Sequence, residues 1–121
     1  MNRKKICDEC SLPKNQRNSL SRICGICKAW QVIDGKWKLY IIWALQDGER
    51  RFLELEKIVE DISPKVLTEQ LREMERDEII SRTIYEEIPL RVEYALTPLG
   101  KELLQIAEEM AEIGKQIPFP E

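Results

Sequence analysis

The sequence predicts a mainly α-helical chain with one small β-hairpin, an α+β fold, and two observations lead to this prediction. Apolar residues recur at spacings of three and four along several segments, which is the period of a half-buried helix. Residues 80–96 instead alternate apolar and polar side chains, which is typical of paired strands. With 121 residues, 43% of them hydrophobic, the chain is long enough for one core.

Composition excludes several classes of protein. The chain has no histidine, so a Ser-His-Asp or Cys-His enzyme is ruled out, and we expect no catalytic activity. The longest apolar run, Leu39 to Leu45, is far shorter than the roughly 20 residues of a membrane-spanning helix. No apolar stretch follows the basic residues 1–5, so we expect a cytoplasmic protein without a secretory signal.

All four cysteines lie near the N-terminus in two Cys-x2-Cys pairs, Cys7 with Cys10 and Cys24 with Cys27. Two such pairs are typical of a tetrahedral zinc site, and residues 8–22 hold too few apolar side chains to fold without one. We therefore expect one Zn²⁺ per chain in a four-cysteine segment over residues 1–28, ahead of a domain over residues 29–121.

The charge is distributed unevenly along the chain, since residues 1–30 carry seven Lys/Arg and two Asp/Glu.

Two other interpretations of the cysteines stay open. Cys24 is expected near the start of a helix, where the helix dipole lowers the pKa of a thiol and favours a redox switch. The cysteines could also only fill space or form an incidental disulfide.

The helices follow in order along the chain. A first helix is predicted from Cys24 to Ile33, closing at Asp34-Gly35. Residues 36–46 are apolar almost all round, which predicts a central, buried helix whose two tryptophans pack in the core. A short amphipathic helix is expected over residues 52–59.

Ser63 and Pro64 start the next helix, because serine is a good N-cap and proline suits the first helical position. This helix is predicted to reach Arg76, with Leu67, Leu71 and Met74 on its buried side. Lys65, Thr68, Glu69, Arg72 and Arg76 fall on the opposite side. Two short helices joined by a tight turn, the second with a polar and basic face, predict a helix-turn-helix.

In the alternating segment, Ile80, Arg82 and Ile84 alternate with Ser81, Thr83 and Tyr85, and the pattern returns after residues 86–89. The returning residues are Val92, Tyr94 and Leu96, and the two runs together predict an antiparallel hairpin. A hairpin directly after a helix-turn-helix is a wing, and the fold predicted is a winged helix-turn-helix. Arg82 and Arg91 are its cations, and each could instead be a surface charge paired with Glu86, Glu87 or Glu93.

Thr97-Pro98 is predicted to cap a last helix that ends before Pro118. Its apolar residues are spaced four and three apart, as in a coiled-coil seam, which favours a two-fold dimer contact over packing within one domain. The seam consists of Leu99, Leu103, Ile106, Met110, Ile113 and Ile117.

Four ordered motifs resemble the HxlR family of winged-helix regulators, which are related to the MarR group. The motifs are Asp34-Gly35-Lys36-Trp37-Lys38, Arg51-Phe52-x-Glu54-Leu55, Ile62-Ser63-Pro64-Lys65-Val66-Leu67-Thr68 and Arg91-Val92-Glu93-Tyr94-Ala95-Leu96-Thr97-x-Leu99-Gly100. The resemblance implies a homodimer joined through its N- and C-terminal helices and a recognition helix over residues 63–76. It also implies that Cys24 matches a cysteine that some members use to sense oxidants or electrophiles. Asp34 replaces the first glycine of the family's usual pair, and Cys7, Cys10 and Cys27 are extra.

These observations lead to the hypothesis of a dimeric, sequence-specific regulator that binds a palindromic double-stranded DNA operator. We expect Lys65, Thr68 and Arg72 to face base edges in the major groove. Phosphates or the minor groove would be contacted by Ser63, Arg76, Arg82, Arg91 and Arg51. The rival hypothesis is a zinc-ribbon and winged-helix adaptor that binds a protein of the transcription machinery.

Overall fold

The computed structural model describes residues 21–119. Within them lie five helices and two strands, in the order that the sequence predicts for a winged helix-turn-helix. The elements are α1 Ser21–Ile33, α2 Lys38–Ala44, α3 Phe52–Ile58, α4 Pro64–Arg76, β1 Ile80–Tyr85, β2 Arg91–Leu96 and α5 Pro98–Gly114.

The chain divides between Gly35 and Lys36 into two compact units, and α1 belongs to the first of them. In α1, Cys24 and Ile33 are buried, whereas Ile26 and Trp30 are exposed. The remaining helices and the hairpin form the second unit. The division comes seven residues after the expected end of the cysteine segment at residue 28.

Helix α2 is shorter and less enclosed than predicted. Ile41 and Ile42 are completely buried, but Tyr40 is 54% exposed and Trp43 is 48% exposed. The prediction that both tryptophans of this segment pack in the core is therefore wrong for Trp43. Helix α2 packs against α3 and α5 within its unit, and these neighbours leave the side that carries Tyr40 and Trp43 uncovered.

The helix-turn-helix is confirmed in detail. Helix α3 is followed by a turn in which Asp61 has a positive φ of 69°. Helix α4 then begins at Pro64, and the Ser63 hydroxyl accepts a hydrogen bond of 3.1 Å from the backbone N–H of Val66. This bond satisfies one of the N–H groups that have no partner in the first turn of a helix.

Helix α4 buries the row that its apolar spacing predicts. Leu67 and Met74 have no exposed surface and Leu71 is 2% exposed. Because side chains three and four residues apart share one side of a helix, burial of this row directs the opposite side outward.

The hairpin pairs β1 with β2 in antiparallel register, so that Arg82 lies opposite Tyr94 and Ile84 opposite Val92. Two backbone hydrogen bonds of 2.9 and 2.8 Å also join Arg50 to Tyr94, which fixes β2 beside the start of α3. The hairpin is therefore held to the helix-turn-helix through its second strand.

A close approach joins the hairpin to α5. The Thr97 hydroxyl lies 2.9 Å from the carbonyl oxygen of Ile79 and accepts a hydrogen bond of 3.1 Å from the backbone N–H of Gly100. A Cβ atom at Gly100 would collide with the carbonyl oxygen of Ile79, so this position needs glycine.

One buried ion pair connects α2 to α4. The Lys38 Nζ atom lies 2.9 Å from Glu73 Oε1, and the two side chains are 6% and 22% exposed. A buried lysine without a partner is strongly unfavourable, so the pair constrains where α4 can lie relative to α2.

We expect Lys38→Met to lower the free energy of unfolding by about 3 kcal/mol, which is near the lower end for a broken buried pair because Glu73 keeps some access to water. Denaturant unfolding measures the change. The matched control is Lys115→Met, which breaks an ion pair whose side chains are both 72% exposed and should change stability by less than about 1 kcal/mol. Equal losses in the two variants would contradict the structural role of Lys38.

Candidate nucleic-acid interface

The outward side of α4 is polar and accessible. Lys65, Glu69, Arg72 and Arg76 are exposed, and Thr68 is half-buried. The Thr68 hydroxyl donates a hydrogen bond of 2.8 Å to the carbonyl oxygen of Pro64, which leaves its lone pairs as acceptors. Within residues 36–119, the side of the helix that is expected to enter DNA is thus open.

Two arginines of the predicted interface face a common cleft. Arg72 on α4 and Arg82 on β1 both line a cleft of about 390 Å³ between the helix and the hairpin. Within the part of the chain that the structure describes, neither guanidinium takes part in an ion pair. Both are therefore available to an anion that approaches this surface.

Arg91, the other predicted cation of the wing, is engaged by its own hairpin. Its Nε atom lies 2.7 Å from Glu87 Oε2 and its Nη1 atom 2.6 Å from Glu93 Oε2. The guanidinium carbon lies 3.9 Å from the centre of the Tyr85 ring. Hydrogen bonds to Glu87 and then to Glu93 raise the pKa of Arg91. This arrangement matches the surface-pairing alternative that the sequence left open.

A carboxylate that sequence analysis missed completes this cluster. Glu49 accepts a hydrogen bond of 3.3 Å from the Tyr85 hydroxyl. A hydrogen bond with Glu93 raises the pKa of Glu49, and the same bond, followed by that from Arg91, lowers the pKa of Glu93. Glu49 lies 36 residues before Tyr85, and no pattern in the sequence connects positions so far apart.

The other predicted phosphate contacts differ in how free their side chains are. The Arg76 Nε atom lies 3.5 Å from Asp77 Oδ1, and its side chain is 53% exposed. Arg51 is exposed, and its backbone N–H donates a hydrogen bond of 2.9 Å to Glu54 Oε1 at the start of α3. The Ser63 oxygen already accepts from Val66, so this side chain caps α4 in addition to any role at DNA.

The predicted dimer seam on α5 is mostly uncovered. Leu103 is 5% exposed and packs inside its own subunit, and Ile117, which follows the end of α5, is 52% exposed. The four other members lie within α5 and are 40–56% exposed. These four are Leu99, Ile106, Met110 and Ile113. Beside them, Tyr40 and Trp43 of α2 border an apolar groove of about 370 Å³ that also contacts Met110. The spacing predicted this apolar row on α5, whereas the exposed side of α2 beside it was not predicted because its aromatic residues were assigned to the core.

The predicted metal site falls largely outside the described residues. Cys7 and Cys10 lie outside residues 21–119, while Cys24 is buried and Cys27 half-buried, three residues apart on one side of α1. Among the described residues, no group of three or more His, Cys, Asp or Glu side chains is arranged to hold a metal ion. The four-cysteine zinc site therefore stays a prediction.

Solved structures resemble this fold. The redox regulator HypR in its oxidised form matches with a TM-score of 0.75 and 38% identity, over 80% of this chain and 100% of HypR. YodB from Bacillus subtilis, solved after diamide treatment, matches with a TM-score of 0.64 and 35% identity, over 77% of this chain and 92% of YodB. No helix within residues 21–119 is long and apolar enough to cross a membrane.

Sequence comparisons agree with the fold. An uncharacterised HTH-type transcriptional regulator of Methanothermobacter thermautotrophicus is 40% identical over 93 residues, which cover 77% of this chain and 71% of the relative. The regulator YdeP of Bacillus subtilis is 39% identical over 93 residues, which cover 77% of this chain and 73% of YdeP. Residues 32–119 match the HxlR-like helix-turn-helix family. The chain therefore belongs to the HxlR family of transcriptional regulators.

Proposed function

We propose that the protein is a homodimeric, sequence-specific DNA-binding regulator without catalytic activity. One observation carries this proposal, namely that Lys65 and Arg72 are exposed on the outward side of a helix whose opposite side forms the core. A helix placed in this way can enter the major groove without any rearrangement of its own subunit.

Within this proposal, Lys65, Thr68 and Arg72 contact base edges. Arginine and lysine can donate to N7 and O6 of guanine, and the Thr68 oxygen can accept from a base amine. Ser63, Arg51, Arg76 and Arg82 contact the sugar-phosphate backbone. Arg91 acts mainly through its own hairpin, since its guanidinium is already bonded to two carboxylates.

The dimer is supported by the apolar surface of α5. Four large apolar side chains along one helix are exposed in the isolated subunit, and burial against a second copy would stabilise the pair. Two helix-turn-helix motifs related by a two-fold axis read two half-sites, which is why we propose a palindromic operator.

The cysteines supply the regulatory part of the proposal. We infer that Cys7, Cys10, Cys24 and Cys27 bind one Zn²⁺, whose role would be to hold the N-terminal segment folded, because two Cys-x2-Cys pairs supply four thiolates. A thiol switch at Cys24 is the second candidate. It is favoured by the similarity to the redox regulator HypR and to YodB, whose structure was solved after diamide treatment.

We expect the wild-type protein to retard DNA from its own upstream region, with an affinity that falls steeply as salt rises. Arg72→Ala should weaken specific binding by about 1–3 kcal/mol and relax the preference at one base pair, because the lost contact is to a base edge. Gel shifts with a set of single-base operator variants measure both effects. The control Lys101→Ala removes an exposed cation from α5 and should leave binding unchanged. An equal loss of affinity on every DNA sequence would show that Arg72 contacts a phosphate.

If the wild-type protein does not retard DNA even at low salt but binds a polymerase subunit, the adaptor hypothesis is favoured.

The two arginines of the wing should behave differently. Arg82→Ala should reduce the slope of log affinity against log salt by about 1, because one phosphate contact is lost. Arg91→Ala should change the slope by less, since that guanidinium is already neutralised by Glu87 and Glu93. Binding measured over a range of salt concentrations tests this, and a larger effect at Arg91 would show that its ion pairs open on DNA.

Protein purified without added zinc should contain about one Zn²⁺ per chain and no thiols that react with a thiol reagent. Elemental analysis and thiol titration of the same sample give both numbers. Cys7→Ser, which removes one proposed ligand, should lower the zinc content and expose reactive thiols. Metal-free protein with reactive thiols would overturn the zinc site and favour the switch at Cys24.

A further inference from the structure

Lys38 is a deeply buried charged residue, and none of the proposed DNA contacts uses it. It is 5% exposed, and no other polar or charged side chain within residues 24–119 is buried to this degree. Replacement of a whole buried ion pair by apolar side chains of the same volume is often neutral or even stabilising. Stability alone therefore does not explain why a lysine and its carboxylate partner occupy this place in the core.

The partner of Lys38 is Glu73, and their ion pair is a contact on one flank of α4. Among residues 21–119, no other residue of α4 forms an ion pair beyond the helix and its C-cap. Glu73 and Glu75 are two residues apart, which places them about 200° apart around the helix. Glu75 lines the cleft of about 390 Å³ between α4 and the hairpin. The pair therefore holds α4 on one flank, while the other flank borders open space.

The pair defines the rotation of α4 about its own axis more finely than the apolar row does. Burial of Leu67, Leu71 and Met74 is driven by the hydrophobic effect, which has no preferred direction, so small rotations leave the row buried. A hydrogen bond between an ammonium and a carboxylate is directional, and this one has a length of 2.9 Å. A rotation that moves Glu73 away from Lys38 would leave the buried ammonium without its partner, which is strongly unfavourable.

The rotation of α4 determines where Arg72 points, because Arg72 directly precedes Glu73. Consecutive residues point about 100° apart around a helix, so Glu73 can face α2 while Arg72 faces outward. Since a helix with its side chains has a radius of about 5–6 Å, a rotation of about 10° moves the end of a side chain by about 1 Å. Hydrogen bonds span only about 2.7–3.2 Å between donor and acceptor, so a shift of this size misaligns a contact to a base edge.

We propose that Lys38 is a positioning residue for DNA specificity, which holds α4 through Glu73 at the rotation that lets Arg72 meet its base edge. This inference rests on the proposed function, which assigns the base contact to Arg72. Lys38 itself is too deeply buried to touch DNA. Its loss should therefore weaken the recognition of sequence and leave the sequence-independent attraction to phosphates nearly unchanged.

The test compares the affinity of the full-length protein for its own upstream DNA with its affinity for a random duplex of the same length at the same salt concentration. Lys38→Met should lower the specific affinity about 10-fold, within the range that one base contact contributes, and the random-duplex affinity by less than about 2-fold. The double variant Lys38→Met/Arg72→Ala should bind no more weakly than Arg72→Ala alone, because Lys38 acts through Arg72. Losses that multiply in the double variant, or equal losses on both duplexes, would overturn the proposal.

Leu45→Ala is the matched control for lost stability. Leu45 is 2% exposed and lies directly after α2, so its truncation should destabilise the protein to an extent comparable with Lys38→Met. It should nevertheless keep the ratio of specific to random-duplex affinity. An equal loss of this ratio in both variants would show that Lys38 has only a structural role. If Lys38→Met is not folded, Glu73→Gln takes its place, because it removes the charge with little change in shape.

A measurement without DNA separates this inference from the proposed function. Residual dipolar couplings of the backbone N–H groups report the rotation of α4 relative to α3 in the free protein. Lys38→Met should rotate α4 by about 10° or more, which is the change that moves the end of Arg72 by about 1 Å, and Leu45→Ala should not. An unchanged α4 in Lys38→Met overturns the inference whatever the DNA result. A rotated α4 in a protein that binds no DNA would support the positioning of α4 and overturn the proposed function instead.

Discussion

The position of α4 is the constraint on which the rest of the structure depends. Leu67, Leu71 and Met74 must all be buried, and a helix can bury such a row in only one rotational setting. The ion pair between Lys38 and Glu73 favours the same rotational setting of α4, because the buried lysine needs a carboxylate close by. The polar residues on the other side are then presented to solvent as a fixed array. Their chemistry, rather than any flexibility of the helix, determines what the surface can bind.

The hairpin is placed by contacts at its base and not by its tip. Backbone bonds between Arg50 and Tyr94 fix β2 beside α3, and the Thr97–Ile79–Gly100 approach fixes the end of the hairpin against α5. These contacts hold Arg82 at a set separation from α4, which creates the cleft. Near the tip, Arg91, Glu87 and Glu93 satisfy one another, so charge there is largely internal. The wing thus offers Arg82, which forms no ion pair within residues 21–119, near the helix. Farther out, Arg91 is paired with two carboxylates, and these three groups carry a net charge of −1.

The features that depend on residues close together in the sequence were predicted from the sequence. The N-caps at Ser63 and Thr97, the buried row of α4 and the antiparallel hairpin were all predicted because each depends on neighbours in sequence. The exposure of Tyr40 and Trp43 was not predicted. In a helix that is apolar almost all round, the sequence does not distinguish the side that packs in the core from a side that remains exposed in the subunit. The Glu49–Tyr85 contact and the cleft beside Arg72 and Arg82 were also not predicted, because their residues are far apart in the sequence and are brought together only by the fold.

The exposed apolar residues of the predicted dimer contact and the cations predicted to contact bases lie on different helices, and this separation has a functional consequence. Leu99, Ile106, Met110 and Ile113 are on α5 and Trp43 is on α2, whereas Lys65 and Arg72 are on α4. A second copy that covers the apolar side chains therefore need not contact the cations, and the two kinds of binding can occur together. In a two-fold pair, each subunit would present one α4, and the distance between the two helices would be set by the dimer contact rather than by either subunit alone. Any signal that shifts this contact would alter the match to two half-sites without changing a single residue that touches a base.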